Sequence, residues 1–90
     1  PDFSHRLAEY AAALSTRLVD LRRTLAEQRP DTYLPDLATS LNNQSVRLAA
    51  LGQTEQALQA ITEAVDLYRT LAEQRPDTYL PDLATSLNNQ

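Results

Sequence analysis

The sequence predicts an all-α chain built from antiparallel helical hairpins, and three observations predict it. Val19 to Gln44 returns as Val65 to Gln90, a shift of 46 residues, with Arg22 against Tyr68 as the sole difference. Between its prolines the chain carries apolar residues three and four apart, the spacing of one helix face. Its single glycine, Gly52, falls where two such stretches meet. A fixed period of this length marks a supersecondary unit that buries its apolar side only by stacking on its neighbours, so the chain reads as a piece of a solenoid.

From Phe3 to about Arg29 there is neither glycine nor proline, and Phe3, Leu7, Tyr10, Ala11, Leu14, Leu18, Leu21 and Leu25 fall on one predicted face. At ~1.5 Å per residue this first helix, 3–29, is a rod of about 40 Å. Pro30 is expected to stop it, because a residue before proline avoids the α region. Residues 31–34 then read as a connector. Pro35 suits the first turn of a second helix, 35–51, and Asp36 suits the positive end of its dipole. Leu37, Leu41, Leu48 and Leu51 form its apolar side, with Ala38, Ser45 and Ala49 as small neighbours.

Gly52 takes a positive φ without steric cost and so caps that helix at its C-terminus. A third helix, 54–75, follows from Gln53 or Thr54 with Glu55 in its first turn. Its stripe runs through Ala57, Leu58, Ile61, Ala64, Val65, Tyr68, Leu71 and Ala72, and Pro76 is expected to end it. A fourth helix, 81–90, copies the start of the second. It is too short to hold in water alone, so Leu83 and Leu87 must dock on the third helix or on another chain. The chain divides into a long N-terminal helix (1–30), one complete unit (31–76) and a truncated second unit (77–90).

Composition narrows the function. Twelve acidic residues stand against eight basic ones, all arginine and scattered, for a net charge of -4. A polyanion is a poor partner for such a surface, so no nucleic acid is expected, and a helical-repeat reader of RNA is the least favoured reading. No apolar run reaches the ~18 residues of a membrane span, and the N-terminus lacks a basic stretch followed by an apolar one. Zero cysteines exclude a disulfide framework and a thiol nucleophile and suit a reducing compartment, here taken as the cytoplasm. Starting and stopping inside helical patterns, the sequence reads as a fragment from which a targeting signal could have been removed.

Catalysis is not expected, and neither is a cofactor. His5 is the only histidine, so neither a metal pair nor a Ser/His/Asp arrangement can be assembled within one chain. A solvated surface position is expected for it. Asp31/Asp36 and Asp77/Asp82 recur with the connectors and lack the spacing of a calcium loop, so helix capping accounts for them. One glycine cannot make a phosphate-binding loop.

Leu41-Asn42-Asn43, Leu48, Gly52, Ala57, Ile61, Ala64 and Pro76 together resemble a tetratricopeptide repeat, in a long-helix form of 46 residues where ~34 is usual. The resemblance covers Pro35 to Pro76, and is to the subclass reading Leu-Asn-Asn-Leu on the first helix, as in kinesin light chains and many bacterial signalling proteins. It implies a protein-interaction scaffold whose first helices line a groove for a peptide or partner domain. Asn43 and Asn89 would bond the backbone of that peptide, with Asn42 and Asn88 beside them, since an amide both donates and accepts. Spacing places Thr39, Asn42, Asn43, Val46 and Ala50 together on the face opposite part of the leucine stripe. The alternative is a self-associating module that forms a homodimer or a domain-swapped oligomer.

Two positions depart from that pattern. Gln44 and its copy Gln90 stand where the subclass has leucine, so Gln44 is expected at a solvent-accessible seam or bonded through its amide. The first helix ends like the second helix of a unit, yet Pro1-Asp2-Phe3 with Leu7 and Leu14 echo Pro35-Asp36-Leu37 with Leu41 and Leu48. Either two helices have fused into one rod, or this is a single second-type helix with a coincidental start. A fused rod cannot fold back on itself and would leave its first half in need of a partner.

Overall fold

The computed structural model describes residues 3–90, and among these there are four α-helices and no strand. They are α1 (Phe3–Gln28), α2 (Pro30–Ala50), α3 (Thr54–Gln74) and α4 (Pro76–Asn89). The echo expected at Pro1-Asp2 lies outside the described residues. Each helix packs antiparallel on the next. Thr16 meets Gln44 and Arg22 meets Ser40 across α1 and α2, and Thr39 meets Tyr68 across α2 and α3. The whole measures 47 × 28 × 19 Å.

The connectors are shorter than the sequence predicts. Residues 31–34 and 77–80 are helical, and α2 and α4 begin at Pro30 and Pro76 rather than at Pro35 and Pro81. One extended residue suffices to turn the chain. Arg29 has φ -138 and ψ 77, and Arg75 has φ -138 and ψ 76, which is the conformation a following proline imposes. Proline then occupies the first helical position, where its missing N–H leaves no acceptor unpaired, and Tyr33 N and Tyr79 N close the first turns onto the Arg29 and Arg75 carbonyls. Asp31 and Asp77 lie in those first turns without a side-chain capping bond, so their contribution is to the dipole alone. Pro35 and Pro81 fall inside the helices. Pro35 removes the bond to the Asp31 carbonyl, and Asp31 is exposed, so water can serve that oxygen.

Gly52 turns α2 into α3 at φ 77. Gln53 N donates to Leu48 O and Gly52 N to Ala49 O, both at 2.9 Å, the paired bonds of a Schellman cap. A Cβ added there would meet nothing within 4 Å, so backbone conformation, not space, requires glycine.

The core forms where α1, α2 and α3 meet, around Val19, Leu37, Leu41, Ile61 and Ala64. Ala38 and Ala64 have 0% exposure, small side chains fully enclosed in the packing of α2 and α3. A second cluster joins Ala38, Tyr68 and Leu71 to Tyr79 and Leu83 of α4. Tyr68 is almost fully buried, and its hydroxyl lies 2.8 Å from Thr39 Oγ1. Burial raises its pKa above the ordinary tyrosine value.

The expected core face of α1 is corrected by the structure. Phe3, Leu7, Tyr10, Leu14, Leu18 and Leu21 point to solvent, and Ala12, Val19 and Ala26, seven residues apart, are buried instead. The rotation is fixed from the C-terminal end. The connector at Arg29 is the twin of that at Arg75, so α1 meets α2 as α3 meets α4, with Val19 in the place of Val65. Arg22 Nη1 donating to Ser40 Oγ and to the Asp36 carbonyl, and Gln44 Nε2 donating to Thr16 Oγ1 at 3.1 Å, hold that azimuth. Gln44 thus stands half-buried and bonded, as its amide requires.

The two copies make a controlled comparison, because Leu41 is 2% exposed and its twin Leu87 is 41% exposed. Leu41→Ala is expected to cost about 2–5 kcal/mol, and Leu87→Ala under about 1 kcal/mol, typical of a partly exposed site. Urea unfolding of the dilute chain measures both, and equal losses would contradict this packing.

Candidate functional site

α2 and α4 run side by side in the same direction, one repeat apart, and their contact is polar. Asn42 Oδ1 accepts from Ser86 Oγ at 3.1 Å and from Asn89 Nδ2 at 3.1 Å. Ser86 is only 1% exposed, so its hydroxyl needs this acceptor inside the protein. Asn42 therefore serves the contact between repeats, beneath the surface assigned to it from sequence.

Beyond this clamp, the C-terminal half of α2, the first turns of α3 and the end of α4 surround a groove of about 470 Å³. Val46 and Leu58, 46% and 51% exposed, line it together with Ala49 and the buried Ala57 and Ile61. Asn89 and Gln90 form the polar rim on the α4 side. Asn89 Nδ2 donates to Asn42, which leaves its Oδ1 as an acceptor. The groove thus offers an apolar floor with amides along one edge, which matches an aliphatic or aromatic side chain flanked by backbone N–H groups.

Of the five residues singled out in the sequence, the structure brings Val46 and Asn89 together at the groove and places Asn42 in the clamp beside it. Asn43 and Asn88 are exposed and line neither element. Leu58, which spacing places on the α3 core stripe, is 51% exposed and lines the groove instead. No sequence signal sets it apart, since Val65 follows Ala64 as Leu58 follows Ala57 and helix period gives the two nearly the same direction.

A second hollow, of about 390 Å³, opens between α1 and α3 over Leu41, Gln44 and Leu48 of α2. Gln44, Gln56, Gln59 and Asp20 make it polar, and a two-pronged ion pair from Arg23 to Glu63 spans it. The Glu63 carboxylate raises the Arg23 pKa further, so the guanidinium stays charged. Both partners are more than a third exposed, which limits the pair to under about 1 kcal/mol. His5 lies at the surface, 3.7 Å from Glu9. Among the described residues no cluster of histidine, cysteine, aspartate and glutamate could hold a metal ion, and no helix is long and apolar enough to cross a membrane.

Comparison of the chain with protein-family models, with curated proteins and with solved structures returned no match.

The clamp distinguishes two adjacent asparagines. Asn42→Ala strands the Ser86 hydroxyl and is expected to lower stability by about 1–3 kcal/mol, while Asn43→Ala should stay within about 0.5 kcal/mol. Thermal unfolding of both variants reads the difference, and an equal response would remove Asn42 from the contact.

Proposed function

We propose that this chain is a protein-interaction module, of the tetratricopeptide type that its motifs resemble, which holds a side chain of another polypeptide in the groove between α2, α3 and α4. The observation that carries this reading is the pair Val46 and Leu58. Two large apolar side chains stand half in water over a floor that is itself apolar, and covering them gains roughly 25 cal/mol for each Å² removed from water. The amides of Asn89 and Gln90 add orientation without demanding a particular sequence, since each can accept from a backbone N–H. A groove formed by three helices that are held by their own core is available without reorganisation, which lowers the entropic cost of binding.

The ligand that fits is an extended or helical segment with one apolar anchor. Basic residues beside that anchor would suit the net charge of -4. This is binding, not catalysis. The cysteine-free sequence accords with a reducing compartment, and we assign the module to the cytoplasm.

Panning a displayed random-peptide library on the chain tests the proposal. Enriched peptides should carry a conserved apolar position and lose about tenfold or more in affinity for Leu58→Asp or Val46→Asp, with melting temperature little changed. Peptides that bind both variants as they bind the parent, or a library that yields no enrichment, would rule the groove out.

A further inference from the structure

We propose that a hollow between the first turns of α2 and α4 binds a free α-amino acid, its ammonium group on Asp31, its carboxylate on Arg75 and its apolar side chain against Leu34, Leu71 and Tyr79. Along α2 and α4 this hollow lies on the other side of the clamp at Asn42 from the groove at Val46 and Leu58. Neither depends on the other.

α2 and α4 are tied together where Asn42 accepts from Ser86 and Asn89. Two to three turns nearer the start of α2 the space between the two helices, beside the last turns of α3, is open and measures about 380 Å³. That is at the small end of the roughly 300–1,000 Å³ of ligand sites, which suits a small molecule. Each of the three helices gives it an apolar wall. Leu71 of α3 is buried, and Leu34 and Pro35 of α2 and Tyr79 of α4 are half-buried.

Two charges of opposite sign line this same space: Asp31 of α2, and Arg75, the extended residue between α3 and α4. Neither side chain has an ion pair or a hydrogen bond among the described residues. Opposite charges that share a hollow without meeting call for a ligand that carries both. A metal ion or a simple anion would satisfy one and be repelled by the other, and the interior of a peptide brings a charge to neither. A zwitterion pairs with both at once, its carboxylate taking the fork of the guanidinium.

Pro35 adds an acceptor for the ammonium group. It has no N–H, so the Asp31 carbonyl lacks its helical donor, and both residues line the hollow. An ammonium carries three donors and can take that oxygen together with the Asp31 carboxylate. The apolar walls then select the side chain, since a branched aliphatic or aromatic group leaves water against Leu34, Leu71 and Tyr79 and a charged one gains nothing there.

The repeat supplies an internal control. Asp77, Arg29, Leu80, Leu25 and Tyr33 are the twins of Asp31, Arg75, Leu34, Leu71 and Tyr79, and none of these twins lines the hollow. A general effect of charge strikes both members of a pair, whereas binding in the hollow strikes one.

NMR titration of the isotopically labelled chain with l-leucine and with l-phenylalanine tests this. The amides of Leu34, Leu71 and Tyr79 should shift saturably, and those of Leu80, Leu25 and Tyr33 should stay in place. Arg75→Gln and Asp31→Asn should each weaken binding about tenfold or more, with Arg29→Gln and Asp77→Asn within about twofold of the parent. All four positions are exposed, and circular dichroism checks that each variant keeps its helices. N-acetyl-l-leucine and l-leucinamide, each lacking one of the two charges, should lose as much as the hollow variants do. Absence of a saturable shift with either amino acid, twins that respond alike, or a blocked leucine that binds as well as the free one would each overturn the inference.

Discussion

The packing of α2 against α3 is the constraint on which the rest depends. Ala38 and Ala64 present no surface to solvent, and with side chains this small two backbones can lie near enough for Leu41 and Ile61 to interdigitate across the seam. Interiors packed to crystal-like density gain from many weak contacts at once, so one bulky residue at the seam would force the helices apart and empty much of the core. Gly52 makes the approach geometrically available, and the single extended residues Arg29 and Arg75 set α1 and α4 against it at matching angles. Consecutive helices meet in two ways, across the arginine-proline turn and across the glycine turn, and α2 also touches α4 through the clamp at Asn42.

Much of this is legible in the sequence because it rests on local rules. The repeat, the glycine cap, the helical class and the bond made by Gln44 follow from spacing and from what each residue type tolerates. The connectors are shorter than spacing suggests because one proline does two things: Pro30 ends α1 by holding Arg29 extended, and it also starts α2. The difference lies in whether one residue can turn the chain, which depends on how α1 and α2 meet. The buried face of α1 departs from the periodic stripe for a related reason. Periodicity finds the largest apolar stripe, here Phe3 to Leu21, while the buried face is set by the smaller Ala12, Val19 and Ala26 through the register inherited from the connector. Leu58 shows the same limit, since helix period cannot tell the floor of a stripe from its margin.

The site was legible in part. Asn42 and Asn43 are indistinguishable in sequence, yet Asn42 is turned toward Ser86 and Asn89 while Asn43 looks outward. That distinction requires α4 to lie beside α2, which no local rule supplies. Once it does, the repeat becomes informative in a second way. Tyr68 lies buried with helices on both sides, whereas Arg22, the sole residue in which the copies differ, keeps its guanidinium near solvent and reaches across to Ser40 and Asp36. The substitution follows the environment: an aromatic ring where two neighbours enclose it, a charged group where one does.

Residue-by-residue amide hydrogen exchange on the dilute, monomeric chain addresses the seam most directly. The slowest amides should lie in the middle of α2 and α3, around Leu41 and Ala64, with much faster exchange from Phe3 to Leu14 in α1 and from Thr85 to Asn89 in α4. Protection in the first half of α1 equal to that around Ala64, or rapid exchange on both sides of Ala64, would contradict the account.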